Sequence, residues 1–145
     1  MIGVVQRREF GRPEHAYGRR CAPDEIEHEV RVTDVAFHFA DAPAWRGETV
    51  HRATPDLILR IDGKRCYVEV DNSQKMTARQ MQDKWARYGT LSDTEFILVV
   101  CRTAGRLERL RGGAERVKDW ALFTTFDRLR AGESWVDWYG NTVVV

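Results

Sequence analysis

The sequence has few of the features that mark secreted or membrane-spanning proteins. Its 145 residues include four prolines and three cysteines, Cys21, Cys66 and Cys101. An odd, widely spaced set of cysteines without a C-x-x-C pair argues against a disulfide framework and favours a reducing compartment. The longest apolar run, Phe96 to Cys101, is far too short to cross a lipid bilayer. With no secretory signal visible, we expect a cytoplasmic protein that has no membrane partner.

A large excess of charge of one sign is also missing. The formal net charge is +1, so the composition gives no overall attraction to nucleic acid. Arginines are nevertheless concentrated in two segments. We interpret residues 1–22 as an irregular basic arm, and the second segment contains Arg102, Arg106 and Arg109. These three are candidates to contact the phosphate backbone of DNA, and the alternative is that they lie on solvated helix faces.

The hydrophobic pattern predicts one α/β domain over residues 23–145. Its first helix starts at Pro23 and ends within 40–48, and its apolar residues should form one broad buried face, made of Ile26, Val30, Val32, Val35, Phe37 and Phe39. The remaining predicted elements are strands at 49–53, 57–61, 66–70, 96–101 and 121–125, helices at 77–88, 104–118 (interrupted by Gly112-Gly113) and 127–131, and an edge strand within 135–145. This order predicts a mixed β-sheet flanked by helices.

A predicted β-hairpin is the most informative part of the chain. Its two apolar runs, Leu57 to Ile61 and Cys66 to Val70, are joined by Asp62-Gly63, a preferred two-residue hairpin turn. Pairing outward from the turn brings Asp56 opposite approximately position 69. The start of one strand and the end of the other therefore meet.

Three carboxylates lie at this meeting point: Asp56, Glu69 and Asp71. In a partly buried place they repel one another unless a cation sits between them, and hard oxygen ligands suit Mg²⁺ or Mn²⁺ better than Zn²⁺. We therefore interpret them as metal ligands of a phosphodiester-cleaving site. Simpler interpretations stay open, since Asp56 after Pro55 is also typical of a strand start and strand alternation can turn Glu69 to solvent.

The helix that follows supplies further candidates. Gln80, Lys84 and Arg87 are spaced i, i+4 and i+7, so they share one helix face. From that face Lys84 would orient the attacking water, assisted by Gln80; the alternative is that the charged residues only flank a buried stripe. Glu27 and His28 on the first helix would complete the site by binding the metal directly or through water; the alternative is that the lone histidine is structural.

The order of these motifs resembles the PD-(D/E)XK, or restriction-endonuclease-like, nuclease superfamily. More narrowly it resembles the replication-relaxation family of bacterial plasmids and mobile elements. The matching segments are Glu27 to Val35, Pro55-Asp56, Val68 to Asp71 and Lys84 to Tyr88. The resemblance covers approximately residues 24–127, and it implies a restriction-endonuclease-like core and Mg²⁺-dependent cleavage of DNA in replication, mobilisation or repair.

The sequence departs from the superfamily at one position. The lysine of the usual Glu-x-Lys motif is replaced by Asp71. Either Lys84 on the next helix takes over its work, or the chain keeps the fold as a DNA-binding module with weak or no catalysis. Nucleases of this size often act as dimers because two DNA strands need two sites, so a homodimer is a candidate assembly.

Overall fold

A computed structural model of the chain describes residues 22–72 and 76–145. Residues 1–21 of the predicted basic arm, which was expected over 1–22, lie outside the described residues. The described helices are α1 (Pro23–His38), α2 (Ala78–Ala86), α3 (Ala104–Gly112) and α4 (Phe126–Arg130). The strands are β1 (Ala44–Trp45), β2 (Leu57–Ile61), β3 (Lys64–Asp71), β4 (Glu95–Cys101), β5 (Ala121–Thr125), β6 (Trp135–Asp137) and β7 (Thr142–Val143).

The strands form one mixed sheet whose spatial order follows the chain order, from β1 to β7. The central strands β3, β4 and β5 run parallel, and every other neighbouring pair is antiparallel. The two parallel connections pass through α2 and α3, as parallel strands require a crossover. The predicted α/β class and mixed sheet are therefore confirmed for the described part of the chain.

The predicted hairpin is present with the expected register. Leu57 pairs with Val68 and Ile61 pairs with Lys64, so Asp62 and Gly63 form the turn. Both turn residues have positive φ, 51° and 79°. A two-residue turn of this kind matches the twist of the flanking strands, which is why Asp-Gly is preferred there. The register follows from the turn together with the apolar runs on each side.

The sheet is covered on both faces. Tyr67, Ile97 and Phe123 point toward α2 and α3, where they pack with residues such as Trp85 and Leu110. The alternate residues of the same strands point to the other face, which is covered by α1 and α4 and includes Val68, Val70, Leu98, Val100 and Phe126. Burial on both faces explains the continuous apolar run of β4.

The prediction of one broad buried face on α1 is wrong. Val32 and Val35 are buried against the sheet, whereas Ile26, Val30 and Phe37 are 54%, 53% and 73% exposed. Residues three apart share a helix face, so Val32 and Val35 lie together while the other three turn away. The sheet offers α1 a narrow contact, and only one of its two apolar stripes fits there.

Two further boundaries differ from the expectation. The predicted strand 49–53 is a tight turn with one isolated bridge between Val50 and Ala53, because His51 takes a positive φ of 55°. The predicted helix 104–118 is interrupted at Gly112-Gly113 as expected, but beyond the interruption it continues only as a short 3₁₀ turn at Glu115–Val117. A Cβ at Gly113 would lie 2.5 Å from Met81 Sδ, so α2 and α3 approach closely at this point.

Among the described residues, none of the helices is both long and apolar enough to cross a membrane.

Candidate active site

The start of β2, the end of β3 and one face of α2 enclose an open cleft. Its volume is about 610 Å³, and its lining includes Asp56, Glu69, Gln80 and Lys84. The lining is completed by Ala53, Thr54, Met76, Arg87 and Tyr88. Four of the residues predicted as catalytic therefore meet in one place.

Helix α2 points its functional face into the cleft because its start is fixed. The Thr77 side chain accepts a hydrogen bond from the Gln80 backbone N–H at 3.1 Å, and the Gln80 side chain accepts one from the Thr77 N–H at 2.8 Å. This reciprocal capping box satisfies two of the free backbone donors at the helix start. Met81 and Trp85 on the same helix are buried in the core, and their burial fixes the rotation of α2 so that Lys84 faces the sheet. The Gln80 amide oxygen serves the helix cap, so Gln80 has a structural task as well as a place in the lining.

Glu69 is the buried acid of the cleft. It is 5% exposed and lies on the face of β3 that α2 covers. Its Oε1 is 2.8 Å from Lys84 Nζ, and its Oε2 accepts a hydrogen bond from the Tyr88 hydroxyl. A carboxylate in such a place is stable only with partners of this kind.

The electrostatics of these three side chains are coupled. Burial raises the pKa of Glu69 above its ordinary value, while the charge of Lys84 opposes that shift. Burial also disfavours the charged form of Lys84, but attraction and hydrogen bonding to Glu69 outweigh it and raise the pKa of Lys84. Lys84 is therefore protonated at neutral pH. Burial and the neighbouring Glu69 raise the pKa of Tyr88, which keeps its hydroxyl as a hydrogen-bond donor.

Asp56 lies opposite Glu69 at the edge of the same cleft. Its backbone N–H donates to the Val68 carbonyl at 3.0 Å, and its Oδ2 accepts from the Val70 N–H at 2.8 Å. His28 on α1 places Nε2 3.3 Å from the same Oδ2. Among the described residues, no hydrogen bond or ion pair uses Oδ1, so that oxygen is available to a ligand.

Contrary to the prediction, Asp71 does not converge with the carboxylates of Asp56 and Glu69. Arg106 on α3 binds it through two hydrogen bonds of 3.0 Å, from Nε and Nη2, and both side chains are almost completely buried. Asp71 is thus neutralised by protein rather than left to share a metal. Residues 22–72 and 76–145 contain no group of three or more His, Cys, Asp or Glu side chains placed to hold a metal ion.

The remaining candidates do not line the cleft. Arg106 is 3% exposed, so it has no surface on which to meet a phosphate, and its prediction as a DNA contact is wrong. Arg109 is exposed on α3, and Arg102 is exposed directly after β4, at the sheet edge where the cleft opens. Glu27 is half-buried on α1, where its nearest charged partner in the described part of the chain is Arg31 at 3.9 Å.

Sequence reasoning missed two participants. Tyr88 was considered only as the end of the segment Lys84 to Tyr88 and was given no role in the site, although a tyrosine four residues after Lys84 shares its face and can reach the same acid. Arg46 was not considered: it holds Glu29 through two hydrogen bonds of 2.7 and 3.0 Å and donates from Nε to the Asp56 carbonyl at 3.0 Å. No local pattern marks Arg46, because its partners are 10 and 17 residues away.

Comparison of the chain with models of protein families, with curated proteins and with solved structures finds no match.

The donor set of the cleft fits a hard divalent cation. Mg²⁺ keeps several waters and is usually held by one or two carboxylates together with substrate phosphates, so it needs no cage of three acids. Asp56 and Glu69 supply two carboxylates on neighbouring strands, with Oδ1 of Asp56 facing no protein partner among the described residues. Neither Cys66 nor Cys101 lines the cleft; both thiols are buried elsewhere, and burial raises their pKa to about 11 and about 12. The cleft therefore favours Mg²⁺ or Mn²⁺ over a thiolate-bound metal.

Proposed function

We propose that this chain is a divalent-metal-dependent DNA endonuclease with a restriction-endonuclease-like core. The observation that carries the proposal is the meeting of Asp56, Glu69 and Lys84 in one cleft, with Lys84 Nζ 2.8 Å from Glu69. A lysine supplied by the following helix takes the place of the one that position 71 lacks. The element order from α1 through β3, α2 and β4 supports the same fold.

Asp56 and Glu69 would hold Mg²⁺ or Mn²⁺. Such an ion, when bound, lowers the pKa of a water molecule and stabilises negative charge on a phosphate. The protonated Lys84 acts as a hydrogen-bond donor and a fixed positive charge, since its raised pKa excludes a general-base role at neutral pH. It would orient the attacking water and stabilise the negative charge that develops on the phosphate oxygens.

DNA as the substrate is supported by the cationic surroundings of the cleft. Arg87 lines it, and Arg102 lies at the same edge of the sheet after β4. Such side chains position a phosphate backbone without reading its sequence. The resemblance to the replication-relaxation family leads us to propose plasmid or mobile-element DNA and a role in replication, mobilisation or repair, with a homodimer as the assembly that would cut both strands.

One observation favours a second candidate, a DNA-binding module without catalysis. Both oxygens of Glu69 already have protein partners, Lys84 and Tyr88. If that ion pair is too stable for a metal to enter, the fold would serve binding alone.

Incubation of supercoiled plasmid with the full chain and Mg²⁺ or Mn²⁺ separates the two. The nuclease predicts nicked and linear products that Asp56→Asn and Glu69→Gln abolish and that Lys84→Ala lowers by about 10²–10³-fold. Glu115→Ala, at an exposed glutamate away from the cleft, should keep full activity. An unaltered plasmid together with retained, salt-sensitive DNA binding would instead support the binding module.

A further inference from the structure

Asp56 is held by residues outside the cleft, and the proposed metal chemistry gives these residues no role. Two residues outside the cleft contact it, His28 on α1 and Arg46 in the loop after β1, and Glu29 on α1 contacts both of them. Helix α1 packs on the face of the sheet opposite to α2. The acid at the mouth of the cleft is therefore fixed by the helix on the far side.

The contacts restrain both the side chain and the main chain of Asp56. His28 Nε2 lies 3.3 Å from Oδ2, and the Val70 N–H donates to the same oxygen at 2.8 Å, so the carboxylate cannot rotate freely. Arg46 Nε donates to the Asp56 carbonyl at 3.0 Å and so restrains the backbone. The side chain and the main chain of one residue are thus held together.

The two restraints are linked through Glu29. Arg46 binds both carboxylate oxygens of Glu29, and His28 Nδ1 lies 3.6 Å from Glu29 Oε2. The hydrogen bonds and charge of Arg46 lower the pKa of Glu29, which is therefore ionised at neutral pH. Two-point arginine–carboxylate pairing gives a defined geometry as well as attraction. The group connects α1, the loop after β1 and the start of β2.

We propose that His28, Glu29 and Arg46 are positioning residues that fix Asp56 Oδ2 and leave Oδ1 for the divalent ion. This inference rests on the proposed metal-dependent function. It assigns His28 a task other than direct metal binding. Partners of a ligand that are themselves outside the coordination shell commonly change metal affinity by 10–100-fold when they are removed.

Titration of the full chain with Mn²⁺ by isothermal calorimetry tests the inference. His28→Ala and Arg46→Ala should each weaken Mn²⁺ binding by about tenfold or more. His28→Gln retains an N–H near the position of Nε2 and should recover most of the affinity. His38→Ala on the same helix and Arg60→Ala on β2 are matched controls, since neither residue contacts Asp56, and both should bind like the original chain.

A second readout needs no metal. The Val70 amide proton reports the position of Asp56 Oδ2, so its NMR shift and its hydrogen-exchange rate should change in His28→Ala and return toward the original values in His28→Gln. Comparable melting temperatures would show that the variants fold.

The possible results distinguish a failure of the positioning role from a failure of the proposed metal-dependent function. If the original chain binds no Mn²⁺, the proposed function fails and this inference fails with it. If the original chain binds Mn²⁺ and His28→Ala and Arg46→Ala bind it equally well, the positioning role alone is overturned. Loss of affinity in both His28→Ala and His28→Gln without any change at Val70 would also overturn it, because it would indicate direct coordination by the imidazole.

Discussion

Substitutions in the buried pair of Asp71 and Arg106 test whether Asp71 stabilises the fold or binds the metal ion. The proposed change is Arg106→Met, which keeps much of the side-chain length but removes the charge. Arg106 and Asp71 have side-chain exposures of 2% and 4%, and two hydrogen bonds of 3.0 Å join them. The substitution leaves an ionised carboxylate buried without its partner.

The cost follows from that burial. Removing one partner of a buried ion pair destabilises a protein by about 3–5 kcal/mol, whereas replacing both by apolar groups is often neutral. For a chain of this size the loss corresponds to a fall in melting temperature of roughly 10–15 °C. Asp71→Leu combined with Arg106→Met should therefore be more stable than Arg106→Met alone.

Urea denaturation followed by circular dichroism measures these differences as changes in the free energy of unfolding. Arg109→Met on the exposed face of the same helix is the matched control and should stay within about 0.5 kcal/mol of the original chain. In the Mn²⁺ titration, Asp71→Asn should keep the original affinity if it folds. A stable Arg106→Met variant, or loss of Mn²⁺ binding in a folded Asp71→Asn variant, would refute the assignment of Asp71 as structural.

Three further predictions concern titratable groups. Burial raises the pKa of Glu69 above its ordinary value of 4.5. Without metal, the contribution of Glu69 to stability is therefore fully present below pH 4.5 and is lost as the pH rises through the raised pKa. Glu69→Gln should remove this part of the pH dependence of the free energy of unfolding. Lys84→Met should raise the pKa of Glu69 further, because Lys84 opposes the effect of burial, and ¹³C NMR of the Glu69 carboxyl would show a lower value or no change if this is wrong. In a Cys21→Ser variant, a thiol reagent at pH 8 should leave Cys66 and Cys101 unmodified until the chain unfolds, since burial raises their pKa values to about 11 and about 12; rapid labelling of the native protein would contradict their burial.

The parts of the fold that the sequence predicts well depend on local signals. Asp62-Gly63 and the apolar runs beside it determine the hairpin register, which brings Asp56 near Glu69. The spacing of Lys84 on its helix likewise indicates the face that reaches Glu69. Both inferences need only elements that are close in the chain.

The predictions that failed, and the role of Arg46 that was missed, have a common physical cause: they depend on contacts between elements that are distant in the chain. Asp71 and Arg106 are 35 residues apart, and their pairing depends on the closeness of α3 to β3, which no local pattern encodes. On α1, two apolar stripes have similar composition, and which one is buried depends on how the helix packs on the sheet, not on the helix sequence alone. The role of Arg46 depends in the same way on distant packing, so reasoning from spacing alone could not find it.

A crystal of the full chain soaked in Mn²⁺ would show whether Asp56 and Glu69 bind one divalent ion together. We expect one anomalous-scattering peak in the cleft, within direct coordination distance of Asp56 Oδ1 and of a Glu69 carboxylate oxygen. Absence of a peak between those two carboxylates at saturating Mn²⁺, or a peak bound by Asp71 instead, would contradict it.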